Sequence, residues 1–475
     1  MNGVMTKEPF QKHNKPTAIV IFGGTGDLTQ TKLLPSLVDL YIQELLPTEF
    51  VVIGLSRKKM SHEEYQEYAK VSLANKGHNH DQKVIDEFCS HLRYAQGSFD
   101  DDGSYDRIKN ELDTFDESIG QCTNKLFYLA VPPQFYELIF GKLKESGLMD
   151  LCNGEDSWSR LLVEKPFGKD LTTARALEKQ LCSLFDDNQI YRIDHYLAKD
   201  AIENIIAFRF SNDIITDSWN KEQIESINIR LFETKNVSNR GSFYDDIGTL
   251  RDVGQNHMLQ ILSLLTMSKV DIHDPKSVRE ARAKTLQELC VDQLQTVTRG
   301  QYEGYVETTG VNPDSETETY FKLDILSQSE SWRGVKFSLE AGKALSKTVN
   351  EAEIIFKSHD DCNCSFAEEV HKHNNVLKII FSPEQKICLS MWVKKPGFDF
   401  ALEEKELVLS SSEVKEVYSP EAYERVLHDC IVGDQTRFVS GAEVEAAWEF
   451  VTPILEQFKT LPLNKYKEGS EVPIV

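Results

Sequence analysis

The stretch RIDHYLAKD, residues 192–200, places four kinds of reactive side chain within six residues. Asp194 offers a carboxylate, His195 an imidazole, Tyr196 a phenol and Lys199 an ammonium group. A folding core has little use for such a mixture, because each buried polar group needs a partner. On a strand, Asp194 and Tyr196 would share one face and His195 the other. The stretch therefore indicates a functional site, on a loop or at the start of a helix.

A second candidate site lies near the N-terminus, in TAIVIFGGTGDL, residues 17–28. A β-branched run meets Gly23, Gly24 and Gly26, and a helix-like stretch follows. A glycine-rich turn between strand and helix lets backbone N–H groups approach a pyrophosphate. The spacing is not the full G-x-G-x-x-G fingerprint, and such turns also serve packing alone. The loop favours nucleotide binding and leaves a purely structural turn as the alternative.

The next predicted strand bears on the choice of nucleotide. NAD-binding folds usually place an acidic residue at its end, whereas NADP-binding folds place an arginine for the 2′-phosphate. Here the strand runs into Ser56, Arg57 and Lys58 without a carboxylate. The two cations favour NADP; the alternative is a solvated basic loop.

Strands and helices must position these residues, and the hydrophobic pattern of the sequence predicts two kinds of sheet. Up to about residue 200, the apolar strands TAIVIF, FVVIGLSR, KLFYLAVPP and RLLVEKPFG alternate with helical segments, which predicts a parallel sheet flanked by helices. Beyond it, segments such as ESINIRLFE, TYFKLDILS and KICLSMWV alternate apolar and polar residues, as antiparallel strands of an α+β domain do. We predict a disordered tail over 1–16 and domains over 17–198 and 199–475. No Gly/Ser linker separates the two domains, so we expect them to pack closely.

Charge and hydropathy exclude several classes of protein. The net charge of −23 repels nucleic acid and anionic membrane surfaces. No apolar run approaches the roughly 18–20 residues of a membrane span, and the N-terminus has no apolar core of a secretory signal. The nine cysteines show no framework spacing. We therefore expect a cytoplasmic protein with reduced thiols and without nucleic-acid or membrane partners.

One cluster of possible metal ligands stands apart from these motifs. It contains Cys362, Cys364, His371 and His373. Its spacing matches no standard zinc pattern, so a polar connecting loop is favoured and no metal site is predicted.

Taken together, the motifs resemble one family. FGGTGDL, FYLAVPP, VEKPFG, RIDHYLAKD, RDVGQNH, WRGVKFSLEAGKAL and VKKPGF follow the order seen in glucose-6-phosphate dehydrogenases, and the likeness runs from Ala18 to the YKEGS segment. The resemblance implies an N-terminal α/β Rossmann-like dinucleotide-binding domain and a C-terminal α+β domain with a large, mainly antiparallel sheet. It also implies a homodimer or homotetramer. The implied reaction, the first step of the pentose phosphate pathway, oxidises glucose 6-phosphate at C1 to 6-phosphoglucono-1,5-lactone and reduces NADP, with NAD used by some members.

The resemblance also assigns roles to residues. Oxidation at C1 needs a base for the hydroxyl proton, and two histidines compete for that role, His195 and His257. By resemblance the base is His257 of RDVGQNH, oriented by Asp194. The implied substrate contacts are Lys165, His195, Tyr196, Lys199, Glu233, Asp252, Lys343 and Lys347. The implied cofactor contacts are Gly23, Gly24, Thr25, Gly26, Asp27, Leu28, Arg57, Lys58, Ala130, Pro132 and Lys165.

Several positions depart from the family pattern. Ala198 replaces a glycine and would be strained if the backbone needed a positive φ. Gly254 replaces a bulky residue, and Lys347 follows Lys343 one residue sooner than usual. Two alternatives therefore stay open: a dehydrogenase of another aldose or aldose phosphate, and a catalytically silent regulator that binds a nucleotide or sugar phosphate. The presence of Asp194 and His257 argues against the silent regulator.

Overall fold

The computed structural model describes residues 15–74, 80–150, 157–291, 297–358, 373–410 and 418–472. Its strands are β1 Thr17–Phe22, β2 Phe50–Ser56, β3 Leu92–Gln96, β4 Asn124–Leu129, β5 Ser159–Glu164, β6 Ile190–Ile193, β7 Ile224–Phe232, β8 Leu289–Val291, β9 Val297–Tyr302, β10 Tyr320–Ser327, β11 Lys336–Gly342, β12 Val349–Phe356, β13 Val376–Ser382, β14 Lys386–Lys394, β15 Leu402–Ser410, β16 Phe438–Val439 and β17 Leu463–Tyr466.

The helices alternate with the strands in the first part of the chain and cluster around the sheet in the second. The α-helices are α1 Leu34–Ile42, α2 His62–Ala74, α3 Gln82–Ser90, α4 Asp102–Ile119, α5 Tyr136–Glu145, α6 Leu171–Leu184, α7 Asp200–Phe210, α8 Asp213–Ser218, α9 Gly241–Tyr244, α10 Leu259–Thr266, α11 Pro275–Gln287, α12 Ala422–Val432 and α13 Gly441–Phe458. Two π-helical segments, Thr29–Leu33 and Leu250–Met258, lead directly into α1 and α10.

The first sheet has the predicted parallel architecture. Its strands lie in the order β3-β2-β1-β4-β5-β6, and each neighbouring pair among them is parallel. All six residues of β1 are buried, as expected for a parallel sheet covered by helices on both faces. This is the dinucleotide-binding order, with ligands expected at the carboxyl ends of the strands. The fold-class prediction is confirmed for this part of the chain.

The second sheet is large and mainly antiparallel, also as predicted. Its order is β15-β14-β13-β12-β7-β11-β10-β9-β17, and β8 also pairs with β10. The pairs β7–β11 and β9–β17 are parallel. The alternating burial of β10 reflects the apolar–polar alternation of its sequence. The short strands β3, β6 and β8 were not anticipated, because runs of three to five residues give little periodic signal.

The two parts of the chain interlock. Strand β16, from near the C-terminus, adds antiparallel to β6 at the edge of the first sheet. Helix α12 contributes Val426 and Leu427 to the core beneath that sheet. The indole N–H of Trp448, in α13, donates to the main-chain oxygen of Phe167, which follows β5, at 2.7 Å. The expected close packing is observed, while the boundary between residues 198 and 199 stays a prediction.

The cysteines differ in part from expectation. Cys89, Cys182, Cys290, Cys388 and Cys430 are free. Cys122 is disulfide-bonded, so the prediction of reduced thiols is wrong at that position. Cys362, Cys364 and His371 lie outside the described residues; the His373 ring contacts that of Trp392, with centroids 4.3 Å apart. Within the described ranges, no helix is both long and apolar enough to cross a membrane.

Candidate active site

The turn after β1 requires glycine at two positions. Gly23 has φ +90°, and a Cβ there would lie 2.4 Å from the carbonyl oxygen of Ala130. A Cβ on Gly24 would lie 2.7 Å from Cα of Gly54 in β2. The turn is closed by the N–H of Gly26, which donates to the oxygen of Gly23 at 2.8 Å. The result is a bare backbone cradle that side chains would fill, which fits a dinucleotide pyrophosphate.

A groove of about 380 Å³ at the end of β2 contains the predicted cofactor-selecting arginine. Arg57 lines it with Gln96 and Arg107. Asp101 lines it too, but its carboxylate is paired with Arg107 at 2.7 Å. Arg57 and Lys58 are both exposed, and among the described residues Arg57 has no ion-pair partner. The Arg57 guanidinium is therefore available to an anionic ligand.

A cavity of about 470 Å³ joins the two halves of the predicted site. It opens at the carboxyl ends of β4 and β5, the usual ligand edge of such sheets. The predicted residues that line it are Leu28, Ala130, Pro132, Lys165, His195 and Asp252. The tertiary structure thus brings cofactor and substrate candidates from distant segments to one cavity.

The opening stretch of the sequence forms the turn that connects β6 to α7. Its carboxylate, Asp194, is 2% exposed. The Oδ1 atom accepts the N–H of Tyr196 at 3.0 Å, and the main-chain oxygen accepts the N–H of Leu197 at 3.0 Å. Ala198 is not among the residues with positive φ, so its substitution for glycine costs no backbone strain. The prediction of a loop that leads into a helix is confirmed.

The second histidine meets that carboxylate from the π-helical segment Leu250–Met258. His257 is 2% exposed, and its Nδ1 lies 2.5 Å from Oδ1 of Asp194. Its Nε2 lies 2.9 Å from Nζ of Lys165. Because an ammonium can only donate, Nε2 is the acceptor and Nδ1–H donates to the carboxylate. The tautomer of His257 is therefore set by its two partners.

Packing explains the unusual glycine in this helix. A Cβ on Gly254 would lie 2.7 Å from Cδ1 of Leu250 and 2.8 Å from Cζ of Phe321. The phenyl ring of Phe321, from β10, occupies the space that a side chain at 254 would need. The departure from the family pattern is thus compensated by its neighbour and removes no functional group.

The electrostatics of the site distinguish the two histidines. Burial lowers the pKa of His257, while the Asp194 carboxylate raises it and the Lys165 charge lowers it, with a net shift below the ordinary value. Burial and the neighbouring His257 lower the pKa of His195 to about 3. Burial alone would raise the pKa of Asp194, but the charge and hydrogen bond of His257 hold it well below its usual range. His257 is therefore the better proton acceptor near neutral pH.

Charged side chains continue from the His257 ring toward the second sheet. Lys165 Nζ also donates to the main-chain oxygen of Asp252 at 3.0 Å. The Asp252 carboxylate lies 3.5 Å from Nζ of Lys343, which in turn lies 3.1 Å from Glu233. Two ammonium groups and two carboxylates thus alternate beside the base. Such a row can bind hydroxyl groups through both donors and acceptors.

Aromatic stacking organises the remaining polar residues of the opening stretch. The Tyr196 and His257 rings are stacked, with centroids 4.0 Å apart and planes 20° apart. Lys199 Nζ lies 3.5 Å from the centroid of the Tyr196 ring. Two groups this close to one ring cannot share a face, so Tyr196 lies between the ammonium and the imidazole. Burial lowers the pKa of Lys199, which marks this ammonium as poorly solvated.

Lys347 and Asp27, both predicted site residues, are exposed and line neither the cavity nor the Arg57 groove. Lys347 lies outside the charged row, whereas Lys343, four residues earlier, is only 8% exposed and is part of it. Asp27 is exposed on the glycine loop. Their predicted roles stay predictions that the geometry does not strengthen.

One acidic residue of this cavity was missed by sequence reasoning. Glu164, beside Lys165, accepts the hydroxyl of Tyr128 at 2.6 Å and is also hydrogen-bonded to Tyr423 of α12. Burial raises the pKa of Glu164 to about 7, with the tyrosine hydrogen bonds opposing the shift. A glutamate at the end of a buried strand is the signal that could have identified it. Nothing local could have pointed to Tyr423, more than 250 residues away.

The site also contains ligand types that a metal ion could use. Atoms of Asp194, His195 and His257 lie within 4.8 Å of one another. Ligands of a first-row ion lie about 2.0–2.2 Å from it, so no two can be much more than 4 Å apart. Both ring nitrogens of His257 already have partners, and the Lys165 ammonium would repel a cation. The arrangement fits proton transfer better than metal binding.

Comparisons with known proteins agree with this architecture. The family model described as glucose-6-phosphate dehydrogenase, NAD binding domain, matches residues 20–204, and the C-terminal domain model of the same family matches residues 206–474. Glucose-6-phosphate 1-dehydrogenase of Chlamydia pneumoniae is 36% identical, with 96% of this chain and 93% of the relative covered. A relative from Arabidopsis thaliana, glucose-6-phosphate 1-dehydrogenase 6, cytoplasmic, is 35% identical, with 96% and 89% covered.

Solved structures show the same likeness. A glucose-6-phosphate dehydrogenase in complex with its substrate glucose-6-phosphate superimposes with a TM-score of 0.89 at 34% identity, covering 97% of this chain and 96% of that chain. A glucose-6-phosphate 1-dehydrogenase from Mycobacterium avium gives a TM-score of 0.83 at 29% identity, with 96% and 95% covered.

Proposed function

Because the chain belongs to the glucose-6-phosphate dehydrogenase family, we propose that it oxidises glucose 6-phosphate at C1 to 6-phosphoglucono-1,5-lactone with a nicotinamide dinucleotide as oxidant. The observation that supports this best is the buried pair of Asp194 and His257 at 2.5 Å, beside the cavity that Lys165 and Asp252 line. The glycine cradle after β1 and the cavity residues Leu28, Ala130 and Pro132 would hold the dinucleotide. When bound, it supplies the acceptor for the hydride from C1.

The chain's own contribution is the base and its orientation. Nε2 of His257 takes the proton of the C1 hydroxyl as the carbon–oxygen double bond forms and C1 loses its hydride. Asp194 fixes the tautomer and stabilises the imidazolium that results. Without substrate, the Lys165 ammonium donates a hydrogen bond to Nε2 of His257. When the sugar binds, the C1 hydroxyl takes up this position on Nε2. The ammonium then donates to the C1 oxygen and stabilises the negative charge that develops there.

The remaining polar residues would bind the sugar phosphate. Glu233, Asp252 and Lys343, which with Lys165 make up the charged row, would bind sugar hydroxyls. Lys199, together with His195 and Tyr196, offers an ammonium and neutral donors, which suit a phosphate. The exposed Lys347 would add a second phosphate contact.

The proposed reaction is tested by the absorbance of the reduced nicotinamide. The purified protein should reduce NADP with glucose 6-phosphate and do so far more slowly with glucose or galactose 6-phosphate. Faster reduction with another sugar would favour a different aldose or aldose phosphate as substrate. Reduction with none of them would favour the silent regulator.

We further propose that NADP is preferred over NAD and that Arg57 sets this preference. Arg57→Ala should lower kcat/KM for NADP about tenfold or more, because a hydrogen bond to a charged group contributes about 1.5–3 kcal/mol. NAD lacks the 2′-phosphate, so kcat/KM for NAD should change little. Steady-state kinetics with each cofactor at saturating sugar phosphate measure the ratio.

Lys59→Ala is the matched control, because Lys59 is a neighbouring exposed cation that does not line the Arg57 groove. Lys58 can replace part of the lost charge, so the double variant Arg57→Ala with Lys58→Ala should show a larger effect. An unchanged NADP/NAD ratio in the double variant would place the 2′-phosphate elsewhere.

We also propose that the protein forms a homodimer or homotetramer through the outer strands of the large sheet. Leu407 and Leu409 of the edge strand β15 are 59% and 62% exposed. They pair across the ladder with Leu389 and Ile387 of β14 and so share one sheet face with them. Such an apolar edge favours association. Light scattering should give a mass of at least twice 54.2 kDa, and Leu407→Lys with Leu409→Lys should reduce it. A monomeric wild-type protein would refute the proposal.

We also propose that the protein is cytoplasmic, which is the location that the name of the Arabidopsis relative gives.

A further inference from the structure

A buried carboxylate that the reaction does not use lies beneath the start of the catalytic helix. Glu318, two residues before β10, is 5% exposed. Its Oε1 accepts the N–H of Leu250, the first residue of the π-helical segment, at 3.0 Å. Its main-chain oxygen accepts the N–H of Thr249 at 3.1 Å. Side chain and main chain of Glu318 therefore both bind the first turn of the helix that carries Asp252 and His257.

The position of this carboxylate is tightly defined by the backbone next to it. Gly248 has φ +74°, and a Cβ there would lie 2.4 Å from Oε1 and 2.5 Å from Oε2 of Glu318. Only a glycine lets the carboxylate reach the N–H of Leu250 in this way. Three residues further on, Phe321 packs against Gly254 in the middle of the same helix. The short segment 318–321 thus contacts the catalytic helix at two successive turns.

Burial of a charge at this place is unfavourable for stability. Burial raises the pKa of Glu318 to about 7, while its backbone hydrogen bonds and the charges of Arg251 and Arg299 oppose the shift. The other titratable groups that face it are Tyr244 and Tyr305, both also with a raised pKa. A carboxylate does favour the N-terminal end of a helix, where N–H groups lack intrahelical acceptors. Glu318 therefore reduces stability while it binds the catalytic helix, which indicates that its role is to orient this helix.

We propose that Glu318 is a positioning residue for the reaction: its carboxylate holds the first turn of the catalytic helix so that Asp252 faces the sugar and His257 meets Asp194. The proposal rests on the proposed function. It predicts that the carboxylate matters for the sugar half of the site and not for the dinucleotide half, because the glycine cradle lies on the other domain.

The direct test is Glu318→Gln, which replaces the charge-assisted hydrogen bond to the N–H of Leu250 with a weaker neutral one and so loosens the first turn. We expect kcat/KM for glucose 6-phosphate to fall about tenfold, since a displacement near 1 Å can cost on the order of 10²-fold. The Kd of the dinucleotide, measured by fluorescence quenching, should not change. Glu316→Gln is the matched control, because Glu316 lies two residues away, 70% exposed and paired with Arg299.

Thermal stability separates positioning from a merely structural role. A carboxyl whose folded pKa lies above its unfolded value, here about 7 against 4.5, destabilises the fold as pH rises through that interval. Glu318→Gln should therefore have a Tm equal to or above wild type at pH 8 while its activity is lower. A folded variant whose Tm at pH 8 fell below wild type together with its activity, or whose kcat/KM equalled that of wild type, would overturn the proposal. So would a loss of equal size in Glu316→Gln.

Two further measurements keep the proposal testable whatever the first shows. Should Glu318→Gln fail to fold, Glu318→Asp keeps the charge with a shorter reach and should show the same loss of kcat/KM with retained dinucleotide binding. The imidazole titration of His257, followed by NMR without substrate, should shift in Glu318→Gln and not in Glu316→Gln. Because this readout needs no turnover, it tests Glu318 even if the wild-type protein oxidises no sugar phosphate, and an unmoved titration would count against it.

Discussion

His257→Asn should lower kcat for glucose 6-phosphate oxidation by about 10²–10⁴-fold, the usual contribution of a positioned general base. An asparagine amide cannot take up a proton near neutral pH, although its NH₂ can still donate to Asp194. The fold should survive, because the substitution is smaller than the ring and keeps the buried hydrogen bond. Steady-state kinetics with sugar phosphate and dinucleotide both saturating measure kcat directly.

The informative control is His195→Asn. Burial and the neighbouring His257 lower the pKa of His195 to about 3, so it is too weak a base for the task, and its loss should act mainly on KM for the sugar phosphate. Near-wild-type turnover in His257→Asn would refute the assignment of the base. A steep fall of kcat in His195→Asn alone would transfer the role to that residue.

Asp194→Asn should lower kcat on the order of 10²-fold or more, through His257. The neutral amide no longer holds Nδ1–H by a charge-assisted bond and no longer stabilises the imidazolium. Oδ1 of asparagine can still accept the N–H of Tyr196, so the turn before α7 should persist. Circular dichroism and Tm serve to confirm the fold.

The pH profile gives this prediction a second readout. The base must be neutral to act, and the lowered pKa of His257 should keep kcat/KM high to below the ordinary histidine range. Since the Asp194 carboxylate raises the pKa of His257, its removal should shift the acid limb to still lower pH. Asp213→Asn, an exposed aspartate at the start of α8, should leave the limb in place. An acid limb that moves to higher pH in Asp194→Asn would contradict the pairing.

Much of the site could be found in the sequence because its residues occur in short, ordered motifs. The glycine loop and the stretch 192–200 each bring several functional groups together within a few residues. The two local doubts raised by the sequence, Ala198 and Gly254, could be decided only in three dimensions. Ala198 has no positive φ, and the space beside Gly254 is filled by Phe321. Backbone torsion and the volume available to a side chain are not properties of a short stretch of sequence.

The sequence by itself determined the class of each sheet, since burial on both faces requires continuous apolar strands and burial on one face requires alternation. It also determined which residue types were available for chemistry. Only the tertiary structure decided which of them meet. The contact of His257 with Asp194 joins positions 63 apart, and that of Lys165 with His257 joins positions 92 apart. The same holds for the hydrogen bond of Tyr423 to Glu164 and for Glu318 beneath Leu250. These contacts form because segments distant in the sequence pack together in the folded core, and no local pattern encodes such long-range packing.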